Sequence, residues 1–386
     1  MDRGDGEFTK FRWICTVIGM IFSVVDIGSD LLLSAQYCWK GYYAWFGLTV
    51  SFILVGSLCA QIFSYSWFRD DLREEELRRE DDVRREEQAS TPCQALLHLL
   101  QLGFYERYCD LLKRSFKSVW RSHPGEADHR ELFGMAADLS MLRLIETFLE
   151  SVPQLLLQTY IILQHHHTSK IQYLSMAVSF LNVAWSVVDY WRCLRRSLPG
   201  TNEMPRGFPT LVYLLYKILT ISARVLSFTL LIMLSTFSIL AMAFIWLVGT
   251  VWAYVVGTDF CTSRCLEQLY RCIIGVILVF TFFNVEGKNS RKAMSLYYTL
   301  STLENLAAPV LMWLFDPRSE QVDFFLPVTV FILMANVMGL LFLVLYYSAL
   351  HPMHRQADEL DGRRQIMNAN NVSPGRIERF LMFRRG

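Results

Sequence analysis

The side chains between residues 138 and 158 have the spacing with the clearest chemical consequence. Arg143, Glu146, Glu150, Gln154 and Gln158 recur every three or four residues inside an apolar run, roughly 132–163, that also holds Asp138 and Pro153. Wound as an α-helix, they share one face. At about 1.5 Å per residue the stripe climbs roughly 22 Å, most of a hydrocarbon core. Facing lipid, each charge costs about 2.5–3.5 kcal/mol on insertion scales, so the stripe is expected to face protein or water. Two readings stay open: buried ion pairs that lock helices together, or a polar track for something that cannot cross lipid alone.

Other polar groups lie in comparable positions. The first apolar run carries Asp26 and Asp30, one turn apart, and a later one carries Lys217 and Arg224. Glu304 stands near Pro309, as Glu150 stands near Pro153. If two halves of the chain pack about a pseudo-twofold, the acids of one are expected to pair with the bases of the other, relieving the cost of a lone charge in low dielectric. Structural glue and direct substrate contact are both readings of these residues.

Enzyme chemistry finds no footing. The chain has no Walker motif, GxSxG elbow, HExxH or dinucleotide fingerprint, so neither ATP-driven pumping nor a familiar hydrolase centre is expected. Cys261 and Cys265 form a close cysteine pair without a second pair at zinc-ligand spacing, and His165–His167 reads as a solvated loop. No metal or other cofactor is expected. A formal charge of +1 gives no reason to invoke nucleic acid.

The elements that must position the stripe are membrane helices. The 386 residues are 53% hydrophobic, and the apolar residues are gathered into long runs, which sets the class as an all-α polytopic membrane protein. The first run holds two aspartates and no small-residue cleavage site, so it reads as a helix and not as a cleavable signal. Runs at 12–37 and 42–68 form a hairpin, and 94–121 is too short to cross and reads as a re-entrant or interfacial segment. Crossings at 132–163 and 171–191 follow. The second half repeats long, long, short, long, long at 210–233, 236–257, 268–286, 294–315 and 324–349. This gives two pseudo-symmetric repeats, about eight crossings and two partly inserted segments. The expected divisions are an N-terminal repeat, 1–206, with a charged loop at 69–93; a C-terminal repeat, 207–349; and a tail, 350–386. With both termini cytosolic, the inside segments hold 20 Lys and Arg and the outside loops three, in accord with the positive-inside rule.

The run DLSMLRLIETFLESVPQL resembles the signature of the XK-related membrane proteins, a family that includes caspase-activated phospholipid scramblases. Further matches are FSYSWF at 63–68, FCTSRC at 260–265, FTFFN at 280–284, YY at 346–347 with HP at 351–352, and DELDG at 358–362. They cover nearly everything except the charged loop near residue 80. The resemblance implies nucleotide-independent scrambling at the plasma membrane, with exposure of phosphatidylserine in apoptosis. Its implied partners are membrane phospholipids, phosphatidylserine and phosphatidylcholine among them, and an executioner caspase; whether an escort subunit is required stays open. On that reading Arg143, Lys217 or Arg224 meets a headgroup phosphate, and Glu146, Glu150 or Asp30 an ammonium. A small-solute transporter and a structural membrane adaptor are the competing readings.

The tail fits the same expectation. Asp358 and Asp361 hold the fourth and first positions before a cut, and the small Gly362 follows, as executioner caspases favour. Beyond it, Ile377, Phe380 and Phe383 share a helical face, with Arg379 among flanking arginines. This segment is expected to dock on the cytosolic face and hold the path shut, or else to rest on anionic lipid.

Overall fold

The computed structural model describes residues 8–78, 93–120, 126–165, 169–197, 204, 207–258, 260–284, 291–316 and 323–350; the tail with its Asp358–Gly362 motif lies outside them. The described residues are overwhelmingly helical and contain no strand. In order the helices are α1 (Lys10–Trp39), α2 (Tyr43–Arg78), α3 (93–99), α4 (Gly103–Trp120), α5 (Glu126–Leu149), α6 (Ser151–His165), α7 (Lys170–Ser197), α8 (Phe208–Leu234), α9 (Ser238–Val256), α10 (Arg264–Phe280), α11 (Arg291–Phe315) and α12 (Phe325–Leu345). A π-helical turn, Tyr346–Leu350, continues α12.

Six of these are long and apolar enough to cross a membrane: α1, α2, α7, α8, α9 and α12 with its π-turn. The runs expected to cross at 132–163 and 294–315 do not meet that measure. The first is divided at Glu150 and carries the charged stripe, and the second carries Thr299, Ser301, Thr302, Glu304 and Asn305. The division has a local cause. Pro153 has no N–H to offer the Leu149 carbonyl, so the helix loosens one turn before it. Glu150 N still donates to the Glu146 carbonyl at 2.9 Å and Gln154 N to the Glu150 carbonyl at 3.1 Å. The stripe therefore stays in register across the break.

α3 and α4 form a hairpin that turns back part-way along α2. Gln101, at φ 64°, makes the turn, and its Oε1 accepts from Ser57 in the middle of α2 at 2.5 Å. Phe104 N donates to Gln61 Oε1 at 3.2 Å, while Leu96, Leu99, Leu100 and Leu102 at the tip are exposed. At its other end α4 returns to the start of α1, where Trp13 donates to the Leu112 carbonyl and packs edge-on against Trp120. The segment expected at 94–121 thus reaches mid-depth and returns to the face where α1 begins.

The main core gathers around α5, with Met141, Leu142, Ile145 and Phe148 fully buried against α4 residues Phe104 and Tyr108 and α10 residues Ile274 and Ile277. α9 buries little except Gly249 and Ala253, and it packs on α10 through glycine. A Cβ at Gly275 would collide with Thr250 and lie 2.9 Å from the Trp246 carbonyl. Gly275→Val is therefore expected to destabilise the protein by about 1–3 kcal/mol, as overpacking does, and to lower the melting temperature in detergent. Gly134→Ala, which meets nothing within 4 Å and sits inside α5, is the control and should melt at or slightly above the wild-type temperature.

Candidate functional site: a buried polar interior

The polar stripe closes on α1, α2 and α7. On α1, Gly19, Ser23, Asp26, Asp30 and Ser34 recur at helical spacing and all are buried. On α7, Ser175, Ser179, Asn182 and Ser186 do the same. Asp26 is the hub. Its Oδ2 accepts from Ser151 at 2.6 Å and Asn182 at 2.8 Å, and its Oδ1 accepts from Ser179 at 2.6 Å. Arg143 Nη2 donates to Asn182 Oδ1 at 2.7 Å, so the Asn182 amide relays between guanidinium and carboxylate. One turn along, Asp30 Oδ1 accepts from Ser175 at 2.6 Å and from Gln158 at 3.4 Å.

Glu146 Oε2 accepts from Ser23 at 3.2 Å, and Gln154 Nε2 donates to Thr49 of α2 at 3.3 Å. Glu150 differs: it is 1% exposed, and neither carboxylate oxygen has a donor. α2 presses on it so closely that a Cβ at Gly56 would stand 2.8 Å from the Glu150 Cβ. A Cβ at Gly19 would collide with Arg143. The stripe thus faces protein, as expected of charges at membrane depth, and Arg143, Gln154 and Gln158 are each 0% exposed. Asp138 is half-buried and lies nearer the start of α5.

The bases of the second half do not meet these acids, contrary to the expected cross-pairing. Lys217 Nζ donates to Thr281 Oγ1 at 2.9 Å and to the Phe282 carbonyl at 3.3 Å, with its charge 4.9 Å from the centre of the Tyr216 ring. Arg224 Nε donates to the Val279 carbonyl at 2.9 Å, Nη1 reaches Asn305 at 3.3 Å, and Nη2 lies 2.5 Å from the half-exposed Glu304. The physical reason is the end of α10. That helix stops at Phe280, inside the protein, and its last carbonyls have no helical N–H to accept from. Arg224 supplies a donor to one of them, the Val279 carbonyl, and Lys217 donates to the Phe282 carbonyl just past the helix, so both buried cations sit at the negative end of the helix dipole. Such acceptors belong to the backbone, so residue type gives no sign of them.

The two carboxylates at the heart of the site invite a direct comparison. Asp26→Ala removes three hydrogen bonds, leaving Ser179 without its carboxylate and Ser151 Oγ and Asn182 Nδ2 with only the 3.3 Å bond between them, and it is expected to cost about 3–5 kcal/mol of stability, seen as a lower melting temperature in detergent. Glu150→Gln breaks no hydrogen bond and removes a buried charge, so it should melt at or above the wild-type temperature. Equal destabilisation of the two variants would show that the bonding pattern described does not set their energetics.

The chain matches the XK-related protein family over residues 14–352. It is 45% identical over 381 residues to XK-related protein 9 of Tetraodon nigroviridis, an alignment that spans 97% of this chain and 99% of that one. XK-related protein 8 of the same fish is 33% identical over 349 residues, covering 90% of this chain and 85% of its own length. XK-related protein 8 of Pan troglodytes is also 33% identical, over 362 residues, with 91% and 88% covered. On this evidence, and on its helical membrane architecture, the chain belongs to the XK-related family of multi-pass membrane proteins.

Proposed function

We propose that the chain is a nucleotide-independent phospholipid scramblase of the plasma membrane, with both termini cytosolic, held closed by its tail until an executioner caspase cuts after Asp361. The observation that carries this reading is the buried stripe on α5 and α6, which runs through the depth of the helix bundle and is enclosed by α1, α2 and α7. A phospholipid is kept in its leaflet by its headgroup, whose phosphate and ammonium must leave water to cross. A continuous row of acceptors and donors lowers that cost if it becomes accessible while the tails stay in lipid. Arg143 suits a phosphate; Glu146 and Glu150 suit an ammonium. The family resemblance implies the same activity, with phosphatidylserine exposure in apoptosis as its outcome.

Lys217 and Arg224 are better read as anchors of α10 than as phosphate contacts, because their donors are occupied by backbone carbonyls and side chains. The stripe in its present form is shut, so activity requires α1, α2 or α7 to part from α5 and α6. The tail supplies a reason for the shut state. Docked through Ile377, Phe380 and Phe383, with Arg379 beside them, it acts at an effective concentration of roughly millimolar, and cleavage forfeits that advantage.

The experiment is reconstitution into liposomes with fluorescent phosphatidylserine or phosphatidylcholine and external dithionite, with and without caspase-3. Cut wild type should lose fluorescence from both leaflets with either lipid and without nucleotide, and Asp361→Ala should stay uncut and inactive. A folded, cut protein that leaves the inner leaflet protected contradicts the reading. So does Asp361→Ala protein that caspase activates as well as wild type.

A further inference from the structure

Bare acceptors gather along the part of the stripe from Glu150 onward. Among the described residues, Glu150 Oε1 and Oε2, Asp30 Oδ2, Gln154 Oε1 and Gln158 Oε1 are all buried without a hydrogen-bond partner. The two glutamines sharpen the pattern. Each spends its Nε2 on a neighbour, Gln154 on Thr49 and Gln158 on Ser175 and Asp30, and leaves its carbonyl oxygen bare. Residues 150, 154 and 158 follow one another at about 6 Å along the helix, so the bare oxygens form successive stations and not a single knot. Each unmade bond at a buried acceptor costs about 1–3 kcal/mol, which is recovered when a donor or a cation arrives.

Formal charge points the same way. The stripe and the α1 face opposite it bring together four carboxylates, Asp26, Asp30, Glu146 and Glu150, against the single guanidinium of Arg143. Arg143 lies at one end of the row, on the side where α5 begins, and its own bare nitrogens are Nε and Nη1. Carboxylate and amide oxygens in series are hard ligands, the set that replaces the hydration shell of an alkali cation in a selective pore. An anion entering the same space meets those oxygens and finds its one bare guanidinium only at the end of the row.

We propose that this interior, once opened, conducts monovalent cations in preference to anions, with Asp30, Glu150, Gln154 and Gln158 as the oxygen stations that set the preference. The inference rests on the cleavage-dependent opening described under the proposed function. It adds a second activity: a passage polar enough to shelter a headgroup is wide enough for K⁺ or Na⁺, and its charge decides which ions use it.

The test is current through planar bilayers containing full-length protein across a KCl gradient, before and after caspase-3, with dithionite scrambling measured on the same preparation in liposomes. Cut wild type should pass current that reverses on the K⁺ side of zero, and uncut protein should pass none. Glu150→Gln and Asp30→Asn should each move the reversal potential toward zero. Because that potential reports a permeability ratio, it is independent of how many molecules open, and two variants guard against one that fails to fold. A cut protein that scrambles without current above the Asp361→Ala level overturns the inference and leaves the scramblase reading standing. A reversal on the Cl⁻ side, or a potential unmoved in both variants, also overturns it. A cut protein that neither scrambles nor conducts overturns both.

Discussion

The structure depends on keeping the Asp26 carboxylate inside a membrane protein. Removing an ion from water costs several kcal/mol even after relaxation, and the cost is offset only where hydrogen bonds replace the lost hydration. Three donors, Ser151, Ser179 and Asn182, lie within 2.8 Å of its oxygens, and they come from α6 and α7. Meeting that requirement fixes much else. α7 must present hydroxyls and an amide at helical spacing, α6 must begin with serine, and α1 must carry small residues where Arg143 passes Gly19. Asn182 then binds Arg143, so the opposite charges are held in one network without touching.

The second half solves a different problem with the opposite charge. α10 ends within the protein; its Val279 carbonyl takes Arg224 as donor, and the Phe282 carbonyl just beyond it takes Lys217. The cations belong to α8, which is thereby tied to the segment after α10 and, through Glu304 and Asn305, to α11. One half therefore holds a reserve of unpartnered polar groups around Glu150, and the other spends its charge on helix ends. The polar stripe thus lies on α5 and α6, while α8 braces the segment after α10 and α11.

Much of this was legible in the residues. The spacing of Arg143, Glu146, Glu150, Gln154 and Gln158 announces a shared face, and its burial follows from the cost of lipid exposure. The break at Glu150 is not among the expectations, which run 132–163 as one crossing, although Pro153 inside it lacks the donor that an unbroken helix needs. The partners were harder to see. Ser175 and Ser179 look like small, neutral residues of an apolar helix, and only their spacing with Asn182 marks a polar face. The destination of Lys217 and Arg224 was hidden for another reason: backbone carbonyls at a helix end carry no side-chain signature, so acids at matching positions seemed the natural partners.

The central claim is that the α5–α6 stripe is sealed in the tail-bound state and becomes hydrated when the tail is cut. Amide hydrogen exchange over residues 143–158, before and after caspase-3 treatment of the full-length protein, measures this directly. The account predicts slow exchange in the intact protein and a fall in protection of roughly tenfold or more after cleavage, about 1.4 kcal/mol of opening free energy. Unchanged protection across this stretch in protein that has begun to scramble lipid would contradict it and move the path elsewhere.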